Sequence, residues 1–250
     1  MPRYPSRYTA SSFSFGPGPI STALKALIGA NVVMFLAMEL FLPRDATIKT
    51  LGLVPSSFLR LSFWQPVTYM FLHGGLSHIL FNMLALWMFG AELERIWGTR
   101  YFLKFYFVTG AGAGVLTVLF SLLPFAFSQQ LFGAAIIGAS GAIYGLLLAY
   151  AIYFPDRPIY MYFLFPIPAK IFVTIMGVIA FYLSLSQVGG VANATHLGGL
   201  LVGYLYLKKG RAHPLAELKY RYLKWKINRV RKKFDVYSGG RADDFDRRVH

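Results

Sequence analysis

Four polar residues lie inside long apolar stretches of this 250-residue chain, where they could do chemistry together: Ser140, His196, His78 and Asn82. A serine hydroxyl is a weak nucleophile, and a histidine in contact with it can accept its proton, which is the minimum apparatus for acyl transfer. His78 and Asn82 are four residues apart, so on a helix they project to the same side. There they could donate hydrogen bonds to the oxyanion that forms when serine attacks a carbonyl, together with the backbone N–H of Ser140.

Each of these residues also has an ordinary explanation when it is taken alone. An isolated serine in a membrane helix often bonds its own helix backbone, and an isolated asparagine often holds two helices together. His78 can reach headgroup water, and His196 can be a packing residue. Polar groups are costly within a bilayer, so their occurrence together is the feature that favours a functional site.

Small residues surround both members of the predicted pair. Ser140 lies in the sequence Gly138-Ala139-Ser140-Gly141, and His196 follows Asn193-Ala194-Thr195. Glycines spaced four apart allow two helix backbones to approach closely, and two such pairs occur here: Gly141 with Gly145, and Gly199 with Gly203. If these two faces meet, Ser140 and His196 can touch. Tyr144, one turn after Ser140, could then pack on the imidazole ring.

The composition indicates which class of protein must position these residues. Hydrophobic residues make up 56% of the chain and charged residues 14%, compared with about 45–50% and about 25% in an ordinary soluble domain. This excludes a typical water-soluble globule and favours a membrane protein. The chain has no cysteine, which excludes disulfides and thiolate metal sites, and we predict a site without metal or cofactor.

Six apolar segments are candidate membrane helices in an all-α, polytopic bundle. Two of them, the fourth and the sixth, have only about 15 residues and would cover about 22 Å of a roughly 30 Å hydrocarbon core. Their ends at Ser140 and His196 should therefore lie below the membrane surface, in a depression that water can enter. The six segments are Ile20–Leu42, Ser77–Ala91, Tyr101–Leu123, Gly138–Phe154, Ala169–Leu185 and Asn193–Leu207.

Charge predicts the orientation and the domain limits. With six spans, 22 Lys and Arg residues fall on the side of the termini and 3 on the other, so both termini are expected in the cytoplasm. We predict a disordered N-terminus at 1–19, a helical domain at 20–209, and a basic tail at 210–250 that is helical in part and then disordered. The net charge of +15 could indicate nucleic acid, but in an apolar chain it favours binding of the tail to anionic lipid.

One outer segment is too interrupted to be a spanning helix. Pro43–Gly75 is apolar but contains Pro55 and Pro66, so we expect a long, partly embedded loop with short helices. No sorting signal is recognisable, and this compact layout suits a multi-pass protein of a prokaryotic plasma membrane.

Together these motifs resemble those of the rhomboid family of intramembrane serine proteases. The matching blocks are His73 to His78 and Asn82, Gly138 to Tyr144, and His196 with Gly199 and Gly203. The resemblance implies a six-helix bundle in which Ser140 is the nucleophile, His196 the base, and His78 with Asn82 the oxyanion-binding pair. It also implies a structural role for Glu94-Arg95. The family often has Trp-Arg in the outer loop, where this chain has Trp64-Gln65.

The sequence therefore predicts a serine endopeptidase that cleaves transmembrane or membrane-tethered proteins near the outer membrane surface through a Ser-His dyad. Two other classes remain open. A non-enzymatic protein of the same architecture would bind client membrane helices, although such relatives typically lack the serine or the histidine. A small channel or transporter would need a polar pathway through the bilayer, and the polar residues here cluster in the outer half.

Overall fold

The computed structural model describes residues 19–124, 126–161, 165–184 and 190–211. Residues 1–18 of the predicted disordered N-terminus and residues 212–250 of the predicted basic tail lie outside the described residues. The chain divides into two units, Met1–Leu207 and Lys208–His250, and the predicted site residues all belong to the first unit.

The described residues are mostly helical. A one-turn 3₁₀ helix at Tyr69–Phe71 lies between α4 and α5. The α-helices and strands are α1 (Thr22–Leu40), α2 (Arg44–Leu51), α3 (Pro55–Phe58), α4 (Gln65–Thr68), α5 (Leu76–Trp97), α6 (Thr99–Ser121), α7 (Ala126–Gly133), α8 (Ser140–Tyr153), β1 (Pro158–Met161), β2 (Phe165–Pro168), α9 (Ala169–Ser184) and α10 (Gly190–Arg211).

The six predicted apolar segments coincide with α1, α5, α6, α8, α9 and α10. In the part of the chain that the structure describes, α1, α5 and α6 are long and apolar enough to cross a membrane by length and composition. α8 and α9 are shorter apolar helices. The prediction that the sixth segment is also short is wrong: α10 has 22 residues, about 33 Å, so His196 lies in its second turn and not at its end. Helix α1 begins where the hydroxyl of Ser21 accepts a hydrogen bond from the backbone N–H of Leu24, at 3.0 Å.

The outer segment between α1 and α5 consists of short helices whose limits follow from its prolines. Pro55 is the first residue of α3, and Pro66 is in the first turn of α4. The first turn of a helix tolerates proline, because its backbone N–H groups have no partner within the helix. The prolines that exclude one long helix thus each lie in the first turn of a short one.

An antiparallel hairpin of β1 and β2 corrects the all-α prediction. Pro158 pairs with Pro168, and Ile159 pairs with Ile167. Three prolines at 158, 166 and 168 disfavour a helix in this segment, while Ile and aromatic residues favour extended backbone. The helical pattern on either side hid this short element, which links α8 to α9.

Helix α8 is the central helix, packed on α5, α6 and α9. Ten of its fourteen residues are buried. Many of them are Gly or Ala, which lets the neighbouring helices approach on several sides. The start of α8, which carries Ser140, is therefore held by surrounding structure rather than by a flexible loop.

The end of α5 is tied to two other elements by a buried carboxylate. Glu94 accepts hydrogen bonds from the hydroxyl of Ser21 at 2.5 Å and from that of Thr99 at 2.6 Å. Ser21 precedes α1 and Thr99 begins α6, so one side chain joins the ends of three helices. A buried carboxylate with two charge-assisted hydrogen bonds stabilises this junction.

Candidate active site

Ser140 and His196 are in direct contact. The Nε2 atom of His196 lies 2.8 Å from the Oγ atom of Ser140, within hydrogen-bond distance. Ser140 is the first residue of α8, and His196 lies in the second turn of α10. Both side chains are half-buried, so the pair is sheltered but still accessible.

Backbone contact between α8 and α10 makes this short distance possible. A Cβ atom on Gly199 would overlap the carbonyl oxygen of Gly141, and one on Gly203 would lie 3.1 Å from the Cα atom of Gly145. Only glycine fits at position 199, and a Cβ at position 203 would require its neighbour to move by a few tenths of an ångström. The two glycine pairs that the sequence places on helical faces thus lie against each other, with Gly199 and Gly203 one turn and two turns after His196.

The imidazole of His196 lies flat on the ring of Tyr144. Their centroids are 4.2 Å apart and the planes differ by 6°. Among the described residues, Nδ1 of His196 is buried without a hydrogen-bond partner. Ring stacking, rather than a bond from a carboxylate, therefore orients the imidazole.

His78 lies beside the serine, and its protonation state follows from its contacts. The backbone N–H of Gly74 donates to Nδ1 of His78 at 3.2 Å. In a neutral ring the proton must then be on Nε2. A Cβ atom on Gly138 would lie 2.7 Å from this Nε2 and 3.7 Å from Oγ of Ser140, so Gly138 leaves open the space that the two side chains share. The φ angle of +123° at Gly138 also requires glycine.

Asn82 is nearly buried, with 6% of its surface exposed. Its side-chain amide nitrogen donates to the carbonyl of His78 at 2.8 Å, one turn earlier in the same helix. This is the ordinary bond of a membrane asparagine to its own backbone. The amide nitrogen carries a second hydrogen, so Asn82 remains a candidate donor.

The outer loop holds the segment that leads into Ser140. Leu53 and Ile136 exchange two backbone hydrogen bonds, at 2.9 and 2.8 Å. The backbone N–H of Gly138 donates to the carbonyl of Tyr69 at 2.9 Å. The hydroxyl of Tyr69 in turn donates to the carbonyl of Gly110 on α6 at 2.7 Å. The turn before the serine is thus fixed to both the outer loop and a long helix.

Gln65, at the position where the family often has arginine, is a buried anchor of this loop. Its side-chain oxygen accepts from the N–H of Val54 at 3.1 Å, and its amide nitrogen donates to the carbonyl of Lys49 at 3.2 Å. Only 1% of the residue is exposed. A neutral amide makes these bonds without the cost of burying a charge.

His73, the first histidine of its motif, is fully buried next to His78, with ring centroids 5.0 Å apart in an edge-to-face arrangement. Burial, together with the proximity of His78, lowers the pKa of His73 to about 4. His73 is therefore neutral at pH 7 and adds no positive charge beside His78.

Several positioning groups have no signal in the sequence. Leu53, Tyr69 and Gly74 act through backbone groups or through partners distant in the chain, and single residue types do not predict such contacts. Within the described ranges, no cluster of three or more His, Cys, Asp or Glu residues could hold a metal ion.

Comparison with known proteins gives a consistent result. The family model described as "Rhomboid domain" matches residues 60–211. The chain is 30% identical to "Rhomboid protein 1, mitochondrial" of Saccharomyces cerevisiae over 194 residues, covering 72% of this chain and 51% of that protein.

Bacterial proteins match as well. "Rhomboid protease GluP" of Bacillus subtilis is 30% identical over 181 residues, covering 71% of this chain and 32% of that protein. "Rhomboid protease AarA" of Providencia stuartii is 27% identical over 212 residues, covering 78% and 74% respectively. The chain thus spans about half of the yeast relative and about a third of the Bacillus one.

Proposed function

The chain belongs to the rhomboid family, as its motifs predict, and we propose that it is a serine endopeptidase that cleaves transmembrane or membrane-tethered proteins. The observation that carries the proposal is the 2.8 Å contact between Oγ of Ser140 and Nε2 of His196. If the Ser140 hydroxyl only bonded its own helix backbone, it would not need to contact His196. If His196 were only a packing residue, it would not need to contact the Ser140 hydroxyl.

The chemistry follows from that contact. Oγ of Ser140 attacks the carbonyl carbon of the scissile peptide bond while its proton passes to Nε2 of His196. The tetrahedral intermediate collapses when the C–N bond breaks and the same proton goes to the departing amine. Water then attacks the acyl-serine ester while His196 accepts one of its protons. When the ester C–O bond breaks, His196 returns this proton to Oγ, which releases the acid and restores the free hydroxyl. The electron-rich face of Tyr144 favours the imidazolium form in both halves of the reaction.

His78, Asn82 and the N–H of Ser140 are the proposed oxyanion donors. The bond from Gly74 leaves the proton of a neutral His78 on Nε2, the His78 atom nearest the Cβ position of Gly138, which is itself 3.7 Å from Oγ of Ser140. Because Asn82 would be one of several donors, Asn82→Ala should lower kcat about 10- to 10³-fold with little change in KM. An unchanged kcat, measured on a reconstituted transmembrane substrate, would remove Asn82 from this role.

We also propose that six helices, α1, α5, α6, α8, α9 and α10, cross the membrane. The fourteen residues of α8 cover about 21 Å, less than the roughly 30 Å core. The difference in length supports our proposal that Ser140 lies in a recess near the outer surface, where the water required for hydrolysis can reach it. A peptide bond inside a helix is shielded by its hydrogen bonds, so substrates whose spans contain Gly or Pro should be cleaved most readily.

Fluorophosphonate labelling in liposomes tests the nucleophile. We expect the wild type to be labelled, Ser140→Ala to be unlabelled, and His196→Ala to be labelled at a greatly reduced rate. Ser184→Ala is a matched control, because Ser184 is also nearly buried in an apolar helix but donates to the carbonyl of Phe181 in its own helix. Equal labelling of wild type and Ser140→Ala would contradict the proposal.

The substrates can be identified from the new protein N-termini that cleavage creates. Membranes containing the wild type should gain N-termini that are missing with Ser140→Ala, and those termini would name both substrate and scissile bond. If both samples had identical termini while purified protein was still labelled, the activity would be hydrolytic but not directed at membrane proteins.

Finally, we propose that both termini are cytoplasmic and that the basic tail binds anionic lipid, with the chain in a prokaryotic plasma membrane. The distribution of Lys and Arg supports this orientation. Since the chain has no cysteine, Arg60→Cys and Arg100→Cys each introduce a single thiol. In intact cells an impermeant maleimide should label the first and not the second, and the reverse pattern would invert the orientation.

A further inference from the structure

The residue before His196 makes a contact that the catalytic chemistry does not use. Thr195 is 2% exposed, and its Oγ1 atom lies 3.0 Å from Oγ1 of Thr117 on α6. Such a pair joins two helices through side chains at the depth of the proposed dyad. It is a candidate for holding α10 in position.

The hydroxyl of Thr117 also contacts the backbone of its own helix. The hydroxyl of Thr117 donates to the carbonyl of Ala113 at 2.8 Å. Either hydroxyl of the Thr195–Thr117 pair can be the donor, and a threonine oxygen that donates one hydrogen bond can still accept another. The chain Thr195 to Thr117 to Ala113 therefore connects the first turns of α10 to the backbone of α6.

Backbone packing at the same level allows little freedom. A Cβ atom on Gly198 would lie 3.1 Å from the carbonyl oxygen of Ala113, and the methyl carbon of Thr195 lies 3.3 Å from the Cβ position of Gly141. Gly198 of α10 thus lies against α6, and Gly199 of α10 lies against Gly141 of α8. The glycine contacts set how close the helices come, but smooth glycine surfaces do little to resist rotation or sliding.

We propose that the hydroxyl pair of Thr195 and Thr117 sets the rotation of α10 and thereby the position of His196 relative to Ser140. Both are positioning residues, because neither touches the reacting atoms. The inference rests on the proposed function, since it concerns the rate at which Ser140 becomes acylated. It adds to the catalytic framework two residues that lie outside the serine, histidine and oxyanion motifs.

The test compares isosteric variants in full-length protein in liposomes. Thr195→Val and Thr117→Val keep the shape but remove a hydroxyl, and we expect each to slow fluorophosphonate labelling of Ser140 about 5- to 20-fold. The double variant should be no slower than either single one, because all three lack the same bond. Thr195→Ser retains the hydroxyl and should label within about twofold of wild type.

Thr109→Val is the matched control. Thr109 is also a buried threonine of α6, but its hydroxyl donates to the carbonyl of Phe105 in its own helix, at 2.8 Å. We expect its labelling rate to stay within about twofold of wild type. Melting temperatures of all variants separate lost stability from lost positioning, since a merely structural bond would lower the melting temperature and leave the labelling rate of the folded protein unchanged.

The outcomes separate the two proposals. A labelled wild type with an unchanged rate in Thr195→Val would overturn the positioning role and leave the proposed function intact. Slower labelling in both single variants that multiplies in the double variant would also overturn it, because the hydroxyls would then act independently. Labelling that is absent from the wild type would overturn the proposed function and this role with it.

Discussion

Helices α8 and α9 follow each other in the chain, have 14 and 16 residues, and are both strongly apolar, yet their surroundings are opposite. Ten residues of α8 are buried, compared with four of α9. The buried residues of α8 include several Gly and Ala, whereas α9 exposes large side chains: Ile171, Ile175, Val178, Ile179, Phe181 and Tyr182. Small residues, rather than hydrophobicity, mark the helix that other helices surround.

The reason lies in the solvent. Lipid tails are about as apolar as leucine, so burying a large side chain against protein gains little over leaving it in the bilayer. Close backbone contact gains dispersion energy only where small residues permit it. α8 can therefore hold a nucleophile in a fixed place, and α9 is the helix that tolerates change. Three predictions test this contrast.

The largest effect is expected from Gly199→Ala. The added Cβ overlaps the backbone of α8 at Gly141, and a backbone cannot move aside as a side chain can. The helices must separate, which lengthens the 2.8 Å contact between Ser140 and His196. We expect labelling of Ser140 to fall at least about 100-fold, measured as a second-order rate with a fluorophosphonate probe. A rate near that of wild type would show that this close contact is not required.

A smaller effect is expected on stability when a large side chain of α8 is truncated. Leu146 is fully buried, and Leu146→Ala leaves a cavity between packed helices. The free energy of unfolding, measured by denaturant titration in mixed micelles, should fall by about 2 kcal/mol, near the low end for such changes. A loss below about 0.5 kcal/mol, the usual size for surface changes, would mean that α8 is loosely packed.

The smallest effects are expected from the equivalent changes on α9. For Gly177→Ala, the nearest atom to the new Cβ is Cδ1 of Leu200, at an ordinary 3.4 Å. For Ile175→Ala, 44% of the side chain is already exposed, so lipid fills the space. Both should leave the labelling rate within about twofold and the free energy of unfolding within about 0.5 kcal/mol. The contrast between the helices would be wrong if Gly177→Ala slowed labelling as much as Gly199→Ala, or if Ile175→Ala lowered the free energy of unfolding as much as Leu146→Ala.

Local sequence patterns predicted the position of most of the long helices. Apolar runs located α1, α5, α6, α8, α9 and α10 to within a few residues, except that α5 continues six residues beyond the predicted end at Ala91, through Leu93 and buried Glu94. Two carboxylates interrupt the apolar run: Glu92 pairs with Arg157, and Glu94 accepts hydrogen bonds from Ser21 and Thr99. The hairpin β1–β2 was missed because a short strand pair has no periodicity long enough to detect.

By itself, the sequence determined the family, the helical segments, and the residue types that could form a nucleophile, a base and an oxyanion site. Helical spacing also determined which glycines share a face. Only the tertiary structure decided which faces meet, and with them the bridge of Leu53 to Ile136, the bond from Gly74 to His78, and the pair of Thr195 with Thr117. Periodicity describes a helix relative to its own axis, whereas these contacts depend on the relative placement of separate segments, which packing sets.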